Sequence, residues 1–211
     1  MSNFRTERYS VANRVRWEQF LTMGIQLAGK TILEPGAGIG DQTEWLLAQG
    51  VKSIIVNDGR AENLGIIQKR FEQDPRIQFV LGDLETCLDK PEFKFNVDFI
   101  FFYGVYYHMH ETLDFRIMRS LATKGQAIAF DYLEGNDNTD YYGYDNPSTA
   151  VGQYSLRPTQ QTLVKGLKQI WPYVYLPKTQ LAWADTATQY TRHIAAASHT
   201  LLDSPGLLLQ T

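Results

Sequence analysis

Three alternating glycines constrain this chain more than any other feature of its sequence. The stretch 31–46 reads TILEPGAGIGDQTEWL, in which an apolar run leads to Glu34, a proline and three glycines, Gly36, Gly38 and Gly40. This order predicts a strand, a tight turn and a helix, because glycine adopts positive φ easily and lets a ligand lie against the backbone. The helix start offers unpaired N–H groups and a partial positive charge. Nucleotide-like ligands bind at such turns in open α/β sheets.

The spacing of the glycines distinguishes between two kinds of cofactor. The dinucleotide fingerprint G-x-G-x-x-G needs a glycine three positions after the second one, and here that position is Asp41. A carboxylate at the helix start is poorly suited to a pyrophosphate and suits a ligand without phosphates that carries a cationic part. A turn that serves only the backbone geometry is the alternative.

A carboxylate also ends the second predicted strand. The run Ser53–Asp58 is of the buried type. Asp58 stands about 20 residues after the glycine turn, where a carboxylate can accept hydrogen bonds from ribose hydroxyls. This position supports an adenosine ligand without naming the cofactor, since a dehydrogenase needs the same acid. The alternative is that Asp58 caps the following helix.

Two motifs resemble those of class I S-adenosylmethionine-dependent methyltransferases. The glycine turn is similar to their first motif, acid-x-G-x-G-x-G, and Y-G-V-Y-Y-H at 103–108 resembles their G-V-L-Y-H stretch. The resemblance spans residues 30–199 and implies S-adenosylmethionine as cofactor. The cofactor-binding residues that it implies are Glu34, Gly36, Ala37, Gly38, Gly40, Asp58, Asp83, Leu84, Tyr103 and Gly104.

The resemblance also implies individual roles. Asp83, after the third strand, would accept a hydrogen bond from the adenine amino group, with Leu84 beside the ring; a turn role is the alternative for Asp83. Tyr103 and Gly104 would face the cofactor.

His108 and Tyr107 are the candidate catalytic residues, because the resembling segment lies beside the reacting groups in those methyltransferases. Imidazole titrates near neutrality and can take a proton from an attacking hydroxyl or amine. His108 could instead position the substrate or hold a loop. We expect no metal site, since no third ligand is evident beside His108 and His110.

Residues 133–157 are predicted to form a lid. A loop of about 25 residues is unusual within a compact domain and is often a binding loop. It follows the fifth strand, on the side of the sheet where ligands bind. We expect substrate contacts from Tyr106, Tyr142, Tyr154 and Arg157. The alternatives are a loop without a role and, for Arg157, a residue that only pins the lid.

The order of predicted elements is that of a single α/β domain. We expect a Rossmann-like, seven-stranded, mostly parallel sheet with helices on both faces and an antiparallel last strand. The nearly unbroken apolar run from residue 97 to residue 103 indicates a central strand covered on both faces. A helical leader, 1–29, would cap the cofactor pocket or pack on the sheet. Domain 30–199 would bind the cofactor, and the apolar tail 200–211 would dock on another element.

Composition narrows the setting and the partners. The net charge of −3 gives no electrostatic case for nucleic acid or an anionic membrane. The early arginines are expected on a solvated helix face: Arg5, Arg8, Arg14 and Arg16. The single cysteine, Cys87, excludes an internal disulfide. The sequence shows no membrane span and no signal-peptide core, so we expect a cytoplasmic protein. The sequence does not indicate its oligomeric state.

The sequence therefore predicts a metal-independent methyltransferase that acts on an oxygen or nitrogen of a small molecule, with an uncharged or cationic acceptor favoured by the Tyr-rich, mildly acidic lid. One alternative is an NAD(P)-dependent oxidoreductase, which shares the glycine turn and Asp58 but leaves Asp83 and the Y-G-x-x-Y-H segment unexplained. The other is a catalytically silent cofactor-binding subunit of a larger enzyme.

Overall fold

A computed structural model describes residues 6–90, 93–135, 140–144, 154–179, 183–184 and 191–210. Its helices are α1 (Glu7–Met23), α2 (Asp41–Ala48), α3 (Ala61–Arg70), α4 (Leu84–Cys87), α5 (Arg116–Ala122) and α6 (Gln160–Leu167). Its strands are β1 (Thr31–Pro35), β2 (Ser53–Asp58), β3 (Ile77–Leu81), β4 (Phe99–Phe102), β5 (Ala127–Leu133), β6 (Tyr141–Tyr144), β7 (Tyr154–Arg157), β8 (Tyr173–Pro177), β9 (Trp183–Ala184), β10 (Thr191–Ser198) and β11 (Leu207–Leu209).

The main sheet has the strand order β11-β8-β10-β5-β4-β1-β2-β3. Strands β1 to β5 are mutually parallel, while β10 runs antiparallel between β5 and β8. The predicted mostly parallel α/β sheet with an antiparallel late strand is confirmed. In the part of the chain with described coordinates, α1 and the shorter helices are not long and apolar enough to cross a membrane.

The predicted count of seven strands was wrong, because part of the tail adds a strand. Leu207–Leu209 pairs antiparallel with β8 and extends the sheet at that edge. Pairing satisfies backbone groups and buries Leu207. The two-residue strand β9 also pairs with β10.

Two apolar cores lie on the two faces of the sheet. Alternate residues of a strand point to opposite faces, so Phe99 and Phe101 of β4 join one core while Ile100 and Phe102 join the other. The near-continuous burial of β1, β2, β4 and β5 follows from this double cover.

Helix α1 is a single helix that packs on the sheet. Thr6 caps its start, and Gly24, in the left-handed conformation, ends it. Phe20 lies 5.3 Å, centroid to centroid, from Phe101 of β4, and Trp17 stacks on Trp45 of α2 at 5.9 Å. The leader therefore covers the face of the sheet on which α2 packs.

Helix α5 begins at Arg116, five residues after the buried acid Glu111. The Glu111 carboxylate accepts hydrogen bonds from the N–H groups of Ile117 and Met118, at 3.2 Å each. Such a carboxylate satisfies the otherwise unpaired donors of a first helical turn. Glu111 therefore caps α5 from outside rather than belonging to it.

The expected lid contains a two-stranded hairpin, since β6 pairs antiparallel with β7. Residues 136–139 and 145–153 lie outside the described residues, as do the side chains of Tyr142 and Tyr154. The lid's first residues are joined to α6, where the N–H groups of Thr159 and Gln160 donate to Asp140 and Glu134.

Candidate functional site

The glycine turn follows β1 and has a conformation that favours glycine. Gly36, Gly38 and Gly40 have φ angles of 65°, 63° and 89°, a region that side chains rarely adopt. A Cβ atom on Gly36 would lie 2.5 Å from Val105 Cγ2. The turn therefore packs directly against the segment that follows β4. The predicted cofactor residue Ala37 is buried within it and donates its N–H to Asn57 O at 3.0 Å.

Glu34 presents an unsatisfied oxygen beside this turn. Its side chain is 1% exposed, and Oε2 accepts a hydrogen bond from Thr43 Oγ1 at 2.7 Å. Across the ranges that the structure describes, no donor reaches Oε1. Burial raises the pKa of Glu34 from 4.5 to about 8. A buried acceptor without a donor fits the cationic amine of a ligand.

Asp58 ends β2 and holds the glycine turn. Its Oδ2 accepts from Gly38 N at 2.8 Å, and its Oδ1 accepts from Arg60 N and Asn63 Nδ2 at 2.9 and 3.2 Å. Burial raises the pKa of its carboxyl. The acid thus lies at the turn, and its predicted role toward a ribose stays a prediction. The alternative role as helix cap is not observed, because the N-cap residue of α3 is Arg60; Asp58 accepts the N–H of that residue instead.

Asp83 lies next to this strand end and caps α4. Its Oδ1 accepts from Glu85 N at 2.9 Å, while the neighbouring Gly82 N donates to Asp58 O at 3.1 Å. Leu84 is buried in the core that contains Leu33 and Ile55. The turn role kept open for Asp83 is therefore present, at the end of the strand beside β2.

The segment 103–108 follows β4 and packs between the glycine turn and β5. Tyr103 stacks on Phe101 at 4.5 Å, and its carbonyl oxygen accepts from Gln42 Nε2 at 3.2 Å. Burial raises the pKa of the Tyr103 hydroxyl well above its ordinary value. Gly104 has a φ of 80° and donates its N–H to Asp131 Oδ1 at 2.6 Å. Both predicted cofactor residues therefore lie beside α2 and the turn.

Three further predicted residues follow within a 3-10 turn, Tyr106–His108. Tyr106, expected to contact the substrate, is 1% exposed and packs edge-on against Phe130 at 5.1 Å in the core. The rings of Tyr107 and His108 lie 4.3 Å apart on the other side of this turn. The structure thus brings the two candidate catalytic residues together and sends Tyr106 inward.

Three arginines contact Tyr107, and an acid, Asp131, pairs with one of them; of these four charged residues, three were not predicted as site residues. Arg16 Nη2 and Arg192 Nη1 donate to the Tyr107 hydroxyl at 2.9 and 2.5 Å. Arg16 Nε also donates to Asp131 Oδ2 at 2.9 Å. Arg157, the fourth charged residue, was expected to bind substrate or pin the lid. It donates to the Tyr107 carbonyl oxygen at 2.6 Å.

The expectation of a solvated arginine face was therefore wrong for Arg16. Its side chain is 6% exposed, whereas that of Arg14 is 66% exposed and reaches Glu18. Arg5 and the side chain of Arg8 lie outside the described residues. Asp131 carried a usable signal, since it is a carboxylate within the otherwise apolar, buried run of β5. Arg16 and Arg192 carried none, because their partners are distant in the sequence.

Helix α1 brings a second tyrosine to the same place. Burial raises the pKa of Tyr9 to about 12, and the positive charge of Arg16 acts in the opposite direction. Tyr9 thus lies on the helix that also brings Arg16 to Tyr107. Of the two roles considered for the leader, packing on the sheet is observed, and its first turns also border the candidate site.

Among the described side chains, no three or more His, Cys, Asp or Glu residues are grouped so that they could hold a metal ion. Metal independence stays a prediction.

Comparison with known sequences gives a domain match for the central part of the chain. Residues 32–125, fewer than half of the chain, match the family described as a methyltransferase domain. These residues run from β1 to the start of β5 and include the glycine turn, Asp58, Asp83 and segment 103–108. Over these residues the chain is similar to methyltransferase domains, which are enzyme domains. No curated protein matches the chain in sequence.

Several solved structures share the fold. The N-terminal domain of EvdMO1, with S-adenosylhomocysteine (SAH) and D-fucose present, has a TM-score of 0.66 and 17% identity, covering 92% of this chain and 84% of its own. The 1,6-didemethyltoxoflavin-N1-methyltransferase of Burkholderia thailandensis, with its substrate and SAH bound, scores 0.62 at 15% identity, covering 90% and 84%. An S-adenosylmethionine-dependent methyltransferase of Mesorhizobium loti scores 0.63 at 13% identity, covering 87% and 97%. The chain thus has the fold of S-adenosylmethionine-dependent methyltransferases.

Proposed function

We propose that this protein is an S-adenosylmethionine-dependent methyltransferase that acts on an oxygen or nitrogen atom of a small molecule and needs no metal ion. The observation that carries the proposal is the buried, unsatisfied Oε1 of Glu34 beside a glycine turn. A carboxylate in that position fits the ammonium group of an amino-acid-bearing cofactor. The methyltransferase domain match and the shared fold support the same assignment.

The remaining binding roles follow the predicted residues. The backbone of Gly36, Ala37, Gly38 and Gly40 would lie against the cofactor, since little side-chain volume intervenes there. Asp58 would accept from the ribose and Asp83 from the adenine amino group, while Leu84, Tyr103 and Gly104 would line the pocket. When bound, S-adenosylmethionine supplies a methyl group made electrophilic by its positively charged sulfur.

The chain's own contribution to the reaction is positioning and proton transfer. Segment 103–108 is fixed by Val105 against Gly36 and by Gly104 against Asp131, so Tyr107 and His108 are held at the sheet edge. A fixed site supplies the proximity that a displacement reaction needs. His108 would take the proton of a hydroxyl or amine acceptor or position that acceptor. Tyr142, Tyr154 and Arg157 would close the lid over it.

A small acceptor is favoured over nucleic acid, because the net charge is −3 and no basic stripe is evident in the sequence. We also propose a cytoplasmic location, with which the single cysteine is consistent. At the start of α2, Asp41 and Glu44 both contact Arg70. An acidic helix start argues against a pyrophosphate and hence against the oxidoreductase alternative.

The deciding experiment is calorimetric titration with SAH and, separately, with NADH. We expect SAH to bind with a micromolar dissociation constant and Asp58→Ala to weaken it at least about tenfold, since charge-assisted hydrogen bonds are lost. Binding of NADH alone would make the protein an oxidoreductase. Binding of neither ligand would overturn the proposal.

The turnover of the variant His108→Ala distinguishes a catalytic domain from the silent-subunit alternative. If this domain is catalytic and His108 is its general base, the variant should lose turnover by about 10²–10⁴-fold. Its affinity for SAH should be retained. If neither His108→Ala nor Tyr107→Phe changes the turnover of a full complex, the silent-subunit alternative is favoured.

A further inference from the structure

The hydroxyl of Tyr107 accepts two hydrogen bonds from cations. Arg16 Nη2 lies 2.9 Å and Arg192 Nη1 lies 2.5 Å from its oxygen. The Arg192 guanidinium also lies over the ring, 4.4 Å from the centroid. Guanidinium groups only donate hydrogen bonds. Both contacts therefore occupy lone pairs of the phenolic oxygen, and the hydroxyl can serve a further partner only as a donor.

No described residue accepts the hydrogen of this hydroxyl: the contacts of the Tyr107 oxygen in the described part of the chain are the two guanidiniums. The residue is 3% exposed, so bulk water does not provide an acceptor over most of its surface. A buried donor that lacks an acceptor is destabilising, because it has lost its hydrogen bonds to water without replacement. Such a donor is expected where a ligand brings the missing acceptor.

The hydroxyl belongs to the candidate site and not to the apolar core. Its segment packs on the glycine turn through Val105 and on Asp131 through Gly104. The Tyr107 ring lies 4.3 Å from that of His108. Tyr106, one residue earlier, points into the core. Of the two adjacent tyrosines, Tyr107 is therefore the one placed to meet a ligand.

We propose that the Tyr107 O–H is the hydrogen-bond donor that binds an oxyanion of the ligand at this site. Two guanidiniums on its oxygen polarise the O–H bond and strengthen it as a donor. They also create a positive potential that disfavours an ammonium group in the same place. This rests on the proposed function, because it names the acceptor chemistry of the methyl-transfer site. It favours a carboxylate or ionised hydroxyl over the uncharged or cationic acceptor that the lid composition favoured.

An oxyanion could come from the methyl acceptor or from the carboxylate of the cofactor's amino-acid part. Both present the same chemistry to Tyr107. The test therefore uses benzoate as a simple oxyanion, benzylamine as its cationic counterpart, and each probe with and without SAH.

The measurement is a titration of full-length protein, labelled with ¹³C at the tyrosine Cζ, followed by NMR. Tyr107→Phe identifies the Tyr107 signal and removes only the hydroxyl. Benzoate should shift that signal with a dissociation constant of about 1–10 mM, and Tyr107→Phe should weaken benzoate about tenfold. The matched control, Tyr173→Phe on β8, should bind benzoate as the wild type does. A shift that persists with SAH bound assigns the oxyanion to the acceptor, and competition assigns it to the cofactor.

Three results would overturn the inference: no response of Tyr107 to benzoate at about 50 mM, an equal response to benzylamine, or unchanged benzoate affinity in folded Tyr107→Phe. If Tyr107→Phe does not fold, Arg192→Lys provides the second variant; it keeps the charge but loses the forked donor, and should weaken benzoate several-fold. Failure of SAH to bind would reject the proposed function while leaving the benzoate result interpretable. The two proposals therefore fail separately.

Discussion

Arg16 and Asp131 form a buried ion pair between residues that are 115 positions apart in the sequence, with Arg16 Nε donating to Asp131 Oδ2 at 2.9 Å. Their side chains are 6% and 2% exposed. The pair joins α1 to β5, and the other oxygen of Asp131 accepts a hydrogen bond from Gly104 N. A single carboxylate thereby fixes the leader helix and the segment that carries Tyr107.

Removing this carboxylate should destabilise the protein strongly. Asp131→Ala leaves the Arg16 guanidinium buried without its main partner, and we expect a loss of about 3–5 kcal/mol in the free energy of unfolding. Urea unfolding followed by circular dichroism measures this loss. The control Arg14→Ala, at an exposed arginine of the same helix, should change stability by less than about 0.5 kcal/mol. Comparable values for both variants would show that the buried pair contributes little.

Glu34→Gln should change the pH dependence of stability. The folded-state pKa of Glu34 is raised to about 8 from an ordinary 4.5. The folded chain therefore binds more protons than the unfolded chain between these values, and the wild type loses stability as pH rises through that window. Glutamine has no charge to bury, so Tm of the variant should exceed that of the wild type at pH 9 and approach it at pH 5.

Thermal unfolding of ligand-free protein at several pH values tests this, with Tm moving by about 2–4 °C for each kcal/mol. The same variant should bind SAH at least about tenfold more weakly, because the amine loses a carboxylate partner. A Tm difference independent of pH would contradict the assigned pKa of Glu34.

Gly36→Ala should disrupt the glycine turn. An alanine there needs a φ of 65° and would place its Cβ 2.5 Å from Val105 Cγ2. We expect a loss of about 1–3 kcal/mol in stability and a marked loss of SAH affinity. Gly65→Ala is the matched control, because Gly65 lies inside α3 with open space around it. That variant should gain about 0.4–1 kcal/mol. If Gly36→Ala behaved like Gly65→Ala, the turn would not require glycine.

Glu111→Ala should destabilise α5. The variant leaves the N–H groups of Ile117 and Met118 without their acceptor in a buried place, at a cost of about 1–3 kcal/mol. Glu111→Gln keeps one acceptor oxygen and should lose less. Hydrogen exchange at the two amides reports the effect directly, and Glu62→Ala, an exposed acid of α3, serves as the control. Unchanged amide protection in Glu111→Ala would reject the capping role.

The sequence predicted those features that depend on residues close together in the chain. The glycine turn at Gly36–Gly40 and the position of Asp58 at a strand end could be predicted from the sequence. Each is recognised within one short stretch, as a strand followed by glycines or a strand followed by an acid. The parallel sheet followed from the apolar runs. The methyltransferase assignment agrees with the domain match over residues 32–125.

Long-range contacts were not predictable in this way. The position of Arg16 on α1 gave no sign that its partners are Asp131 and Tyr107, since an amphipathic pattern does not identify tertiary partners. The roles of Tyr106 and Tyr107 could not be separated, because a 3-10 turn rather than a continuing strand sets which of these two buried residues joins the apolar core. The tail became β11 because β8 offered an unpaired edge, a property of the assembled sheet.

The contact between α1 and the segment before β11 has a consequence for biosynthesis. Gly206 N donates to Met23 O at 3.2 Å, and a side chain on Gly206 would meet the backbone of Thr22. Every strand of the main sheet except β11 is translated between these two partners. On the ribosome, α1 emerges first but cannot complete its docking until residues around 206 have left the exit tunnel. Helix α1, which carries Arg16 to the site, therefore completes its docking only after the other strands have been translated. Until then its apolar face is exposed to chaperones.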